Sequence, residues 1–208
     1  MNPSQRRTLS LAVLILAAVL LPSAPSAATA ETWIERSDRN SQVLLDVLAK
    51  ISPEGASQLG VPGMDEEIFD LKPGFNERNR AATQQAADTL RQRLAEEEDP
   101  KVRQDLEILI HTAEDQVEGS KLGEKYNLPY LDVTSAIFQG LRTLLDDQVE
   151  ASRRQAALVR LRKYTGSAPG TTPLTVLAEQ FIRSRMNQPG LMGPFKDEIE
   201  RDLSNTET

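Results

Sequence analysis

The sequence predicts an all-α protein: a multi-helix antiparallel bundle or array of seven to eight helices, preceded by a signal-peptide helix. Apolar residues recur at three- and four-residue spacing in one block after another. No block alternates as a half-buried strand does. The blocks are separated by short clusters of Pro, Gly, Asp and Ser, the connections of a helical bundle.

The first element is the signal. Arg6 and Arg7 precede the apolar run Leu9 to Leu21, and Ala28-Thr29-Ala30 is a small-x-small cleavage site. The run is 13 residues, short of the ~20 a spanning helix needs. Cleavage near Ala30 is expected, with a periplasmic or secreted product; membrane attachment is expected only if the segment stays uncleaved. The remainder, 31–208, reads as a single helical domain.

Within it, Trp33 to Ile51 carries Ile34, Val43, Leu44, Val47, Leu48 and Ile51 at helical recurrence. Ser52-Pro53 is a cap followed by proline at the first helical position, and Gly60 ends that short helix. Val61 to Gly74 is a connector holding the acidic stretch "MDEEIFD". It lacks the alternating carboxylates and distal Glu of a calcium loop and reads as an acidic loop. Asn76 is a possible cap for a helix to about Glu97, with Thr83, Ala87, Leu90 and Leu94 inward. Asp99-Pro100 caps the next, to about Tyr126, with Val102, Leu106, Leu109, Ala113 and Val117 as its stripe.

After "NLPY" comes Asp132 to Leu145, with Val133, Ile137, Phe138, Leu141, Leu144 and Leu145 expected inward. Ala151 to Tyr164 follows, with Leu158 and Leu161 as its apolar positions and Arg153, Arg154, Arg160, Arg162 and Lys163 outward. Cations in the last turn suit the macrodipole, and Gly166 closes the helix. Thr172-Pro173 caps a helix to about Asn187. "QPGLMGP" breaks it, and a last helix starts near Pro194.

Charge and composition narrow the function. The 208-residue chain carries 24 Lys and Arg against 31 Asp and Glu, with no Cys. Loss of Arg6 and Arg7 with the signal leaves 22 cations and a net charge of −9. No basic stripe exists to neutralise phosphates, which argues against nucleic acid. A thiol nucleophile, a thiolate metal site and a disulfide are all excluded.

His111 is the only histidine. Glu107 precedes it by four residues and Glu114 follows by three, so the three share one helical stripe. They are weak candidate metal ligands, on a flank one position round from the apolar stripe. A helix-flank histidine bonded to a glutamate or water is the favoured reading, because no second His is present and no H-E-x-x-H occurs. No G-x-S-x-G and no phosphate-cradling glycine motif is present. Asp146-Asp147 reads as a helix end. Tyr126 and Tyr130 either line a ligand groove or plug a helix corner, the corner being favoured. No catalytic residue is assigned.

The order of "SPEGASQLGVPG", "LPYLDVTSAIFQGLRTLLDDQV", "ALVRLRKYTG" and "TPLTVLAEQFIRSRM" resembles the N-terminal portion of a bacterial family catalogued as domain of unknown function 885, over about Trp33 to Asn205. The resemblance implies a secreted, zinc metallopeptidase-like helical architecture in which this portion walls a cleft. The family's His-Glu…Pro-Gly-His element and later Glu-Gly-Trp segment do not occur in this sequence. No ligand carries over, and zinc is implied only for full-length relatives. The expected role is therefore non-catalytic, with a missing catalytic portion or a peptide or protein as partner. A stand-alone periplasmic protein-interaction module is the alternative. An enzyme in its own right would need bound metal and dependence on His111.

Overall fold

Helix starts are set by local chemistry. Thr32 opens α1 (Trp33–Ile51) with a reciprocal cap: its Oγ1 accepts from the Glu35 N–H at 3.2 Å, and its own N–H donates to Glu35 Oε2 at 2.8 Å. Asp99 accepts from the Lys101 N–H at 2.9 Å, and Pro100 occupies the first position of α4 (Pro100–Tyr126). Asp132 accepts from the Ser135 N–H at 3.0 Å to start α5 (Val133–Leu145). In α3 (Phe75–Glu96) the cap is Gly74, at φ 80°, and Asn76 lies inside the first turn. The expected Asn76 cap is thus replaced by a residue free to take left-handed backbone.

The computed structural model describes residues 31–207. Segment 1–30, where the sequence predicts a signal peptide, lies outside the described residues. Among those described, the fold is all-α: eight α-helices, no strand, and a single parallel bridge between Asn127 and Met192. The remaining helices are α2 (Pro53–Gln58), α6 (Gln155–Tyr164), α7 (Leu174–Arg183) and α8 (Lys196–Glu207), with a 3-10 turn at Ala151–Arg153 ahead of α6. None of the described helices is long and apolar enough to cross a membrane.

α1, α3 and α4 pack as a three-helix group. Its core joins Leu44, Ala86, Ala87 and Ala113 in one cluster and Leu90, Val102, Leu106 and Ile110 in another. Each of the larger fully buried side chains contributes roughly 1.5–3 kcal/mol. α3 and α4 are antiparallel, with Arg91 on Glu114 and Arg80 on Glu124. α1 and α4 run parallel, however. Lys101 sits 4.6 Å over the Trp33 ring and Ser37 donates to Asp105 at 2.6 Å, the same offset of 68 residues in each case. Arg36 holds this arrangement at its start by reaching Glu97 at 3.3 Å and Asp99 at 3.1 Å in the α3–α4 turn.

The second core gathers α5, α6, α7 and the 61–74 connector around Leu71, Tyr164, Leu174, Leu177 and Ala178. Here the helix faces differ from expectation. α6 buries Ala156, Ala157, Arg160 and Tyr164, while Leu158 is 52% exposed. Arg160, expected outward, is 0% exposed, and Leu161 is exposed. α5 buries Gly140 and Leu144, leaving Phe138 and Leu145 outside. The reason is a close approach. A Cβ on Gly140 would overlap the Tyr164 hydroxyl oxygen and crowd Tyr164 Cζ at 3.1 Å and Glu54 Cγ at 3.3 Å, so only glycine lets α6 settle on this face of α5.

Candidate functional site

The expected metal candidates do not converge. His111 faces solvent, and its Nε2 lies 3.5 Å from Asp115 Oδ2 one turn on, not from Glu107 or Glu114. Glu114 is taken by Arg91 of α3. Among the described residues no group of three His, Asp or Glu side chains is placed to hold a metal ion.

The acidic connector has a structural role that its sequence concealed. Arg153 binds both Asp65 oxygens, at 2.7 and 2.6 Å, and donates to the Ser57 carbonyl at 2.7 Å. Lys163 pairs with Glu67 at 3.0 Å. Among the described residues Arg160 meets no carboxylate at bonding distance; its guanidinium donates to the carbonyls of Glu67 at 3.0 Å, Met64 at 3.0 Å and Gly140 at 2.7 Å. Tyr164 donates to Glu54 at 2.8 Å, and Glu54 also accepts from the Phe69 N–H at 3.1 Å. Burial lowers the Arg160 pKa and, with the Glu54 carboxylate beside it, raises that of the Tyr164 phenol. The Arg153 guanidinium holds Asp65 below the ordinary carboxylate value. These groups bolt the connector to α5 and α6, and their hydrogen-bonding capacity is spent on the chain itself.

An open site lies elsewhere. A cleft of about 630 Å³ runs between the ends of α3 and α4 on one side and α7 and the start of α8 on the other. Its floor is the extended stretch Leu128–Tyr130, pinned by Leu128 N–H to Met192 carbonyl at 2.9 Å and Met192 N–H to Tyr126 carbonyl at 2.8 Å. A hollow of about 310 Å³ continues it, sharing Asn76, Glu124, Phe181 and Arg185. Phe181 is fixed edge-on against Phe75, with ring centroids 6.4 Å apart. At the rim, Phe195 is 71% exposed and Met192 is exposed beside it.

Charges in the cleft are already oriented. Arg80 pairs with the Glu124 carboxylate, and Arg185 donates to the Glu124 carbonyl and to Gln188 Oε1. Tyr130 lines the cleft and donates to the buried Asp202 of α8 at 2.9 Å. Burial, then the Asp202 carboxylate, push this phenol up to about 12, so it stays a neutral donor across the physiological range. Tyr130 is thus both a groove wall and a helix-corner tie, whereas Tyr126 is exposed beside Lys125, 4.8 Å from its ring. The arrangement places apolar faces next to fixed polar groups, which suits binding and orientation of a ligand. Sequence reading missed Arg185, Phe181 and Phe195. Their only local signal is aromatic and cationic residues flanking the "QPGLMGP" break.

The described fold is that of an all-α helical protein. Searches among protein-family models, curated proteins and solved structures find no match to the chain.

Proposed function

We propose that the chain is an exported, non-catalytic helical domain whose cleft binds an extended peptide segment. It would wall the substrate path as the N-terminal region of a zinc metallopeptidase-like protein does, with residues 1–30 removed near Ala30 and the catalytic portion supplied by a partner. The observation that carries this reading is the cleft itself. Exposed Phe195 and Met192 at the rim offer apolar contact, and Phe181, Tyr130, Arg185 and Glu124 inside it offer a rigid, mixed-polarity wall. Apolar faces bordering open clefts mark binding sites. The motif order noted in the sequence supports the same architecture.

The test is affinity for a pool of unstructured peptides, measured by titration calorimetry on the wild type and on Phe195→Ser. Wild-type dissociation constants between about 1 mM and about 1 μM are expected, weakened about tenfold by the substitution. Unchanged binding by the variant, or none by the wild type, overturns the proposal. A stand-alone interaction module is the second reading, favoured by apolar side chains exposed away from the cleft, such as Phe138 on α5 and Leu158 on α6.

A further inference from the structure

A second surface, independent of the cleft, has the form of an unfilled helix seat. α1 and α4 lie parallel, and α3 covers the groove between them on one side only. On the other side a hollow of about 460 Å³ opens, lined by α1 and α4 residues and by none from α3. Its apolar rim is exposed: Ile34 at 53% and Ile108 at 57%, with Trp33 at the end. Leu45, exposed as well, continues the Ile34 stripe three turns on.

The polar lining is acidic. Asp105 accepts from Ser37 at 2.6 Å and Asp38 lies beside it, and neither carboxylate has an ion-pair partner among the described residues. Lys101 is held over the Trp33 ring at the groove's end, and Arg36 and Arg39 of α1 are engaged by Glu97, Asp99 and Glu31.

We infer that the α1/α4 groove docks a basic amphipathic helix from a partner protein. Two parallel helices present a straight furrow into which the apolar ridge of a third helix fits, completing a four-helix cross-section. Ile34 and Ile108 receive the ridge. Asp38 and Asp105 receive Lys or Arg side chains that flank it, and the same two carboxylates reject an acidic helix.

The full-length chain is titrated with a designed lysine–leucine peptide carrying leucines at i, i+3, i+4 and i+7, and with its glutamate–leucine counterpart. Binding is followed by peptide fluorescence anisotropy and by induced helical circular dichroism. The lysine peptide binds and folds, and the glutamate peptide binds at least about tenfold more weakly. Ile108→Ser, at an exposed position, weakens the lysine peptide about tenfold. Asp38→Asn with Asp105→Asn, which keeps an acceptor for Ser37, weakens it about three- to tenfold and flattens its salt dependence. Phe195→Ser in the cleft leaves it unchanged. Equal binding of the two peptides, indifference to Ile108→Ser, or loss with Phe195→Ser overturns the inference. So does a concentration-dependent dimer that Ile108→Ser dissolves, which would make a second copy the occupant.

Discussion

Replacing Arg160 with Met keeps most of the side-chain length and removes the guanidinium. Three carbonyls then lose a charged donor: Glu67, Met64 and Gly140, now held at 3.0, 3.0 and 2.7 Å, although Met64 keeps the Glu67 N–H at 3.1 Å and Gly140 keeps the Thr143 hydroxyl at 3.4 Å. Each lost hydrogen bond to the charged group is worth about 1.5–3 kcal/mol. Against this, the variant no longer desolvates a cation, a cost visible in the lowered pKa of Arg160. The net loss is therefore below the sum of three such bonds, about 3 kcal/mol. For a domain of this size that corresponds to a fall of about 6–12 °C in Tm. Urea unfolding of Arg160→Met, with exposed Arg162→Met as control, measures it. Hydrogen exchange gives the location: amides of residues 61–74 and α6 lose protection while α3 and α4 keep theirs. A loss under about 1 kcal/mol, or uniform deprotection, refutes the argument that this guanidinium pins the connector.

Gly140→Ala brings a Cβ against the Tyr164 ring and Glu54, and costs about 1–3 kcal/mol by chemical denaturation; a neutral result would mean that α6 can move aside freely. Asp65 is held below its ordinary value of 3.8 by Arg153, so its contribution is present at neutral pH and is lost as pH falls through the folded-state pKa. Wild-type stability therefore drops on acidification below about pH 4 more steeply than that of Asp65→Asn, whose stability is already reduced at pH 7; parallel curves refute the pairing. His111→Ala leaves Tm unchanged, since its contact with Asp115 is solvent-exposed at 3.5 Å; a clear drop in Tm would mean that the imidazole holds something other than Asp115.

Much of the fold is legible because helix ends are written locally. Asp99-Pro100, Asp132 and Ser52-Pro53 sit at helix boundaries, as read from the sequence; the capping box of Thr32 with Glu35 is also local, but sequence reading missed it. The stripe Val102, Leu106, Ala113 and Val117 is buried as its period predicts, with Ile110 taking the place of Leu109 in the buried set. What is not written locally is which face of α6 turns inward. Arg160 is a residue type normally solvated, and its acceptors lie 20, 93 and 96 residues away. Only the assembled connector makes burial favourable. The same holds for the parallel pairing of α1 with α4, set by tertiary contacts of Arg36 and Ser37. Of the cleft, Tyr130 was visible as a candidate, while Phe181, Arg185 and Phe195 converge only through the turn at Met192.

We propose that this protein binds through the cleft between the α3–α4 ends and the α7–α8 segment. Amide and aromatic chemical-shift mapping during titration with unstructured peptides tests it most directly. Perturbations concentrated at Tyr130, Phe181, Arg185 and Phe195, with the Arg160 network silent, are the expected result. Perturbations confined to other surfaces, or none at millimolar peptide, would contradict it.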